Sequence, residues 1–204
     1  MFWKLFTKKD KYELSAKPIQ LDNEHAEEKE IDGSNEVDPD YRTTVFLSLF
    51  EKEPQKREGK FPAYIHYELG IINEKQYFDE ILKDQFIEPA SQKDILAMLK
   101  VTELKAILVN NGLKKTGNKP VLIERILNEV NLGQIELLSE PYYSLSPKGI
   151  DFLASHSDFM RVRQNSQWGI GINEYIQMKN ISNGSVSFDD IILSLLNQKM
   201  KSIK

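Results

Sequence analysis

The chain has 204 residues, 40% apolar and 28% charged, with a net charge of −4. That length allows one or two domains with a buried core, and the negative balance argues against a wholly basic coating for nucleic acid. The absence of cysteine excludes disulfides, iron–sulfur clusters and thiol chemistry, and suits a reducing cytoplasm, the expected compartment.

The opening Met1–Lys9 places Phe2, Trp3, Leu5 and Phe6 beside Lys4, Lys8 and Lys9. It lacks the long apolar run and small-residue cleavage site of a secretory signal, and reads as an apolar start that packs on a partner or on the protein itself. No stretch approaches the ~20 apolar residues of a transmembrane helix. Between residues 22 and 40, nine acids face one base, Lys29, a net of −8 that leaves +4 for the rest of the chain. Such a stretch buries too little to offset its ordering entropy and is expected to be disordered. Residues 51–60 are a charged linker with Pro54 and Gly59. Residues 1–60 are thus expected to be a flexible acidic region and linker, and the folded body to begin near Phe61.

Residues 61–90 read as a helical flank. Pro62 suits the first turn of a helix and Gly70 its end. Asn73 caps a second helix in which Tyr77, Phe78, Ile81, Leu82 and Phe86 recur at helical spacing.

Residues 91–130 carry the functional signal. Thr102 is expected to cap a helix, with Glu103 in its first turn and an apolar stripe of Leu104, Ile107 and Leu108. Asn111-Gly112 ends it. After a basic loop, Gly117 or Asn118 caps a second helix with Pro120 in its first turn and Val121, Leu122, Ile126 and Leu127 on its apolar face. Val101 and Leu113 are expected to plug the gap between the two helices.

In residues 131–204 a C-terminal helical region is expected. Glu140-Pro141 breaks the chain, Tyr142 to Leu145 read as an extended piece, and Ser146 caps a helix with Pro147 in its first position and Ile150, Phe152 and Leu153 following. This strand-to-helix text resembles the small winged-helix units of bacterial regulators. Helices are also expected over residues 172–179 and 188–200, the latter capped by Ser187 with Asp189 and Asp190 in its first turn. The fold class is mainly α: a small helical bundle containing a helix–extended–helix module, with a short β element near residues 142–145.

The ordered set Val101, Leu104, Lys105, then Gly112-Leu113, then Gly117 and Lys119, then Leu122-Ile123-Glu124-Arg125-Ile126 resembles the SAP domain family almost position by position. The resemblance covers about a fifth of the chain. It implies a helix–extended–helix fold, binding to double-stranded DNA and a place in a bacterial or phage protein. Asn118 and Pro120 depart from the family's pattern: the first removes one expected phosphate contact, the second stiffens the helix start.

Charge and chemistry fit that implication. Residues 91–130 hold seven bases against four acids, a net of +3. Lys114, Lys115 and Lys119 bracket the second helix start, where free amides and the helix dipole favour an anion. Gly117 permits close backbone approach, while Thr116 and Asn118 offer donors. With Lys100, Lys105 and Arg125 these residues form the candidate nucleic-acid-binding set. No side chain in it is an obvious base reader, so non-specific binding to the backbone is expected.

Other chemistry is not indicated. His25, His66 and His156 are scattered, and His66 is expected to be a partly buried structural imidazole. Phosphate-binding glycine loops, nucleophile elbows and metalloprotease helices are absent from the sequence. Asp189-Asp190 complement a helix dipole, and Tyr142-Tyr143 are expected to pack rather than stack on bases. The reading is a non-enzymatic DNA-binding protein without cofactors. A protein–protein adaptor using the SAP-like and C-terminal helices, without DNA binding, is the alternative.

Overall fold

The computed structural model describes residues 37–182 and 185–202. The expectations for Met1–Lys9 and for most of the acidic stretch lie outside the described residues.

The folded body begins well before Phe61. Asp38 accepts from the Tyr41 amide at 2.9 Å, capping α1 (Pro39–Leu47), with Asp40 in its first turn. Two acids assigned to the disordered stretch are therefore a helix start. Tyr41, Val45, Phe46 and Leu47 are all 3% exposed or less. The acidic average across the stretch concealed an aromatic face that pays its ordering entropy by burial.

After an irregular link comes α2 (Tyr64–Tyr67), a single turn, so Pro62 lies ahead of the helix instead of in it. Asn73 caps α3 (Glu74–Lys83) as expected, accepting from Gln76 at 3.1 Å. The flank then leaves helix. β1 (Ile87–Pro89) pairs antiparallel with β2 (Tyr143–Leu145), Ile87 opposite Leu145. Gln55 bridges the other side of Tyr143, each amide bonding the other's carbonyl at 2.9 Å. Three residues ending in a proline carry no readable period, and only the partner makes β1 a strand.

Between the two strands lie α4 (Gln92–Met98), α5 (Val101–Asn110), α6 (Lys119–Glu129) and two short 3-10 turns, Leu132–Gln134 and Glu136–Ser139. They close on their own core of Leu96, Leu104, Leu108, Leu122, Ile123 and Ile126. The other core draws on α1–α3, β1 and everything after β2. The module is thus an insertion into a discontinuous host. Its two ends leave side by side, where the Ala90 amide donates to the Tyr142 carbonyl at 2.8 Å.

Behind β2, Ser146 caps α7 (Pro147–Ser155), accepting from Gly149 at 3.1 Å. α8 (Ser157–Gln164), absent from the expectation, follows almost without a break and buries Phe159 and Val162. The chain ends in α9 (Ile172–Ile181) and α10 (Phe188–Ser202). Tyr143 packs edge-on against Phe78, Tyr142 is buried, and Trp168 packs on the host core. His66 is exposed, contrary to expectation; the half-buried imidazole is His156, stacked on Phe152 at 4.2 Å. No helix among the described residues is long and apolar enough to cross a membrane.

Two ionic clusters tie α8 to the host. Arg163 forks onto Glu68 at 2.7 and 2.9 Å and lies over the Tyr64 ring, and the Tyr41 hydroxyl donates to the same carboxylate. Asp158 accepts from Tyr175 and Lys179, each at 2.7 Å. Burial pushes both carboxyls up, but these donors outweigh it and hold both below the ordinary carboxylate range. The folded state therefore binds fewer protons than the unfolded chain in acid. The stabilisation is complete above the unfolded value of roughly pH 4 and is lost as pH falls through the lower folded values. Urea midpoints should fall on acidification below about pH 4, and more shallowly in Glu68→Gln/Asp158→Asn. An equally steep fall in the double variant would place the acid sensitivity elsewhere. Replacing residues 91–139 by a two-residue turn should leave a host that still unfolds cooperatively, because β1 and β2 are already in hairpin register; a chain without a cooperative transition would show that the module is integral to the host.

Candidate nucleic-acid interface

α5 starts one residue earlier than its expected cap. Lys100 holds the N-cap position and its amide donates to Glu103 Oε2 at 2.6 Å, so Glu103 does the capping and Thr102 is helical. Val101, 37% exposed, does not plug the core; Leu96 on α4 does, with Leu113 partly buried beside it. On α6 the inward residues are Leu122, Ile123 and Ile126, while Val121 is 40% exposed.

The loop between α5 and α6 turns at Gly112, whose φ is 70°, and Asn118 caps α6 by accepting from Val121 at 3.3 Å. Pro120 has no amide, so among the first three positions of α6 only the Lys119 N–H remains free. The helix start therefore offers an anion less than expected.

The nine candidate residues divide into two groups. Lys119 and Arg125 are engaged in the fold. Lys119 Nζ donates to the Ala97 carbonyl at 2.5 Å, at the negative C-terminal end of α4. Arg125 reaches back across the loop to the carbonyls of Lys114 and Thr116 at 2.5 and 3.0 Å, with Glu129 at 4.0 Å on its other side. Lys119 ties the start of α6 to α4, and Arg125 holds the loop against α6. Sequence reasoning missed this because a cation bonding backbone carbonyls leaves no trace in charge pattern.

The second group faces outward. Lys100, Lys114, Lys115, Thr116, Gly117 and Asn118 are exposed, and Lys105 is half-buried. Among the described residues, the ammonium groups of Lys100, Lys105, Lys114 and Lys115 have no carboxylate within 4.0 Å. Lys105, Lys115, Thr116 and Gly117 line one open groove of about 700 Å³ between α5 and the loop, floored by Ala106 and Val109. Their positive charge is not consumed internally and is available to an anionic ligand.

The geometry is that of two short helices joined by an extended basic loop with a cationic rim. Residues 95–131 match the SAP domain. The SAP match spans just under a fifth of the chain, all of it within the insert. A SAP domain is generally a DNA-binding module, which fits the cationic loop. Neither a curated protein nor a solved structure matches the chain.

Of the two glycines in the loop, Gly112 and Gly117, only Gly117 has a neighbour that an added Cβ would strike. Its φ is 133°, and a Cβ there would sit 2.8 Å from Val121 Cγ1. Gly117→Ala should lower module stability by about 2 kcal/mol from strain and overlap together. Adding Val121→Ala should recover only part of it, because the backbone strain stays. Hydrogen exchange of the α5 and α6 amides measures this; full recovery in the double variant would mean that sterics alone act.

Proposed function

We propose that this is a non-enzymatic protein of the cytoplasm that binds double-stranded DNA through its inserted SAP module, by the phosphate backbone and without sequence preference in the module itself. The observation carrying this reading is the pair of lysines without carboxylate partners that line the groove, Lys105 and Lys115, with Lys114 exposed beside them in the loop, in a segment that matches the SAP domain. Lys100 adds charge at the start of α5, and the Thr116 hydroxyl and Gly117 backbone supply neutral donors on the same rim. Counterion release from a few phosphates is the driving force. The net negative charge of the whole chain keeps that attraction local to the module.

A protein partner is the second reading. Ile181, Leu193 and Met200 are 59–70% exposed on α9 and α10, which suits an apolar contact that salt does not weaken.

Fluorescence anisotropy with a duplex of mixed sequence separates the two. Wild type should bind with a log–log salt slope of roughly −3 to −4, for about four phosphate contacts. Lys105→Glu/Lys114→Glu/Lys115→Glu should abolish binding at about 0.1 M salt, with its helix content unchanged. Lys119→Ala should act differently, lowering stability first, since its ammonium serves the Ala97 carbonyl. Salt-insensitive binding, or a triple variant that binds as well as wild type, would remove the phosphate-contact reading.

A further inference from the structure

The apolar exposure of the host is greatest at one turn. Among the described residues, Tyr67 and Ile72 are the most exposed large apolar side chains, at 82% and 83%. They flank Gly70, whose φ of 65° closes α2 as its amide donates to the His66 carbonyl at 3.1 Å. Ile65, Leu69 and Ile71 are buried on the inner side of the same turn, and the Ile71 amide donates to the Ile65 carbonyl at 3.2 Å. Turning Tyr67 or Ile72 inward would give up that burial. Their exposure is therefore fixed by the backbone, and the Tyr67 ring already rests edge-on against His66, centroids 5.4 Å apart.

The surroundings lack charge. From Phe61 to Asn73 only Glu68 is charged, and its carboxylate is held by Arg163 and Tyr41. The neighbours that remain exposed, Pro62, Ala63, His66 and Asn73, are uncharged at neutral pH. That is unusual in a chain with 28% charged residues. Val121, by contrast, stands between Lys119 and Glu124, and Met200 between Lys199 and Lys201. Single exposed apolar residues of that kind are ordinary. At the α2 turn the first charges outside the stretch are Lys60 and Glu74, so an apolar centre is bracketed by a polar rim, as in a protein–protein contact.

An uncharged surface gives a phosphate backbone nothing to neutralise. It suits a partner surface as apolar and as free of charge as itself, and a two-fold axis supplies one by symmetry. Tyr67 leaves roughly 200 Å² open to contact. With Ile72 and the uncharged neighbours, two facing copies reach about the 1,000 Å² that a specific contact needs. A turn anchored at three buried side chains also loses little freedom on docking.

We propose that two copies of this chain pair through the α2 turn, in a two-fold contact where Tyr67 and Ile72 of each copy pack on the same turn of the other. At this size the contact is weak and reversible. The pair carries two inserted modules, so a long anionic ligand would be met twice. That consequence rests on the DNA-binding reading above, whereas the contact itself does not.

Sedimentation velocity of the full chain without nucleic acid, from micromolar to millimolar concentration, is the test. Wild type should pass from monomer to dimer in that range, with a midpoint unchanged between about 0.1 and 0.5 M salt. Tyr67→Glu/Ile72→Glu should raise the dissociation constant at least about tenfold. Both side chains are already in solvent, so its thermal midpoint at low concentration should match wild type. Tyr67→Ala, which adds no charge, should act in the same direction. Leu193→Glu/Met200→Glu, on the exposed side of α10, should dimerise as wild type does. A chain that stays monomeric up to millimolar concentration overturns the proposal, as does a dimer that survives the α2 substitutions or is lost in the α10 pair. Duplex binding is read separately, by anisotropy below the dimer midpoint, so either reading can fail without the other.

Discussion

Ile87 lies opposite Leu145 and Pro89 opposite Tyr143, and this three-residue register organises everything around it. It joins the α1–α3 segment to the α7–α10 segment across the intervening module, and it brings the two ends of that module together. Ser146 reinforces the joint three ways. Its amide donates to Phe86 at 3.0 Å, its hydroxyl to Gln85 at 2.6 Å, and the same hydroxyl caps α7. Gly149 completes it, since a Cβ there would meet the Phe86 carbonyl oxygen at 2.1 Å. Only a glycine lets α7 press this closely on the turn before β1. Gln85, at φ 62°, absorbs the sharp change of direction from α3 into the strand. Without this joint the host core would be two fragments with incomplete apolar faces.

What the sequence revealed follows the range of the interactions. Caps at Asn73, Ser146, Ser187 and Asn118 were legible because the acceptor and the amide it serves lie three residues apart. The module was legible because its core is almost wholly local, and the mainly α class followed from the same short-range periodicity. α1 was hidden inside an acidic average, although Asp38 and Asp40 are what start it. β1 was hidden because its strand character depends on residues more than fifty positions away. Val101 and Val121 show a finer limit: each is apolar and in a helix yet exposed, while Leu96, from the preceding helix, and Ile123 fill the core instead.

The candidate site shows the same division. Composition correctly located a basic loop but could not separate cations that build it from cations left over. Lys119 and Arg125 spend their donors on the carbonyls of Ala97, Lys114 and Thr116. Those carbonyls belong to a helix end and a loop that has no regular backbone partners, so each cation satisfies acceptors that would otherwise need water. With the loop held at the Lys114 and Thr116 carbonyls, Lys114 and Lys115 would have less conformational freedom to lose on meeting an anion.

The way the module is attached bears on how its contact combines with any made by the host. A domain on one flexible linker samples a volume that grows with linker length, and its local concentration at a second site falls accordingly. Here both ends are fixed by paired strands, and the Ala90–Tyr142 hydrogen bond closes the base of the insert. The module can neither drift from the host nor rotate freely about a single bond. Ordering entropy that a tethered pair of domains would lose on meeting one ligand has been lost already in folding. An anion that met the exposed lysines would therefore meet a rim already fixed relative to the host core.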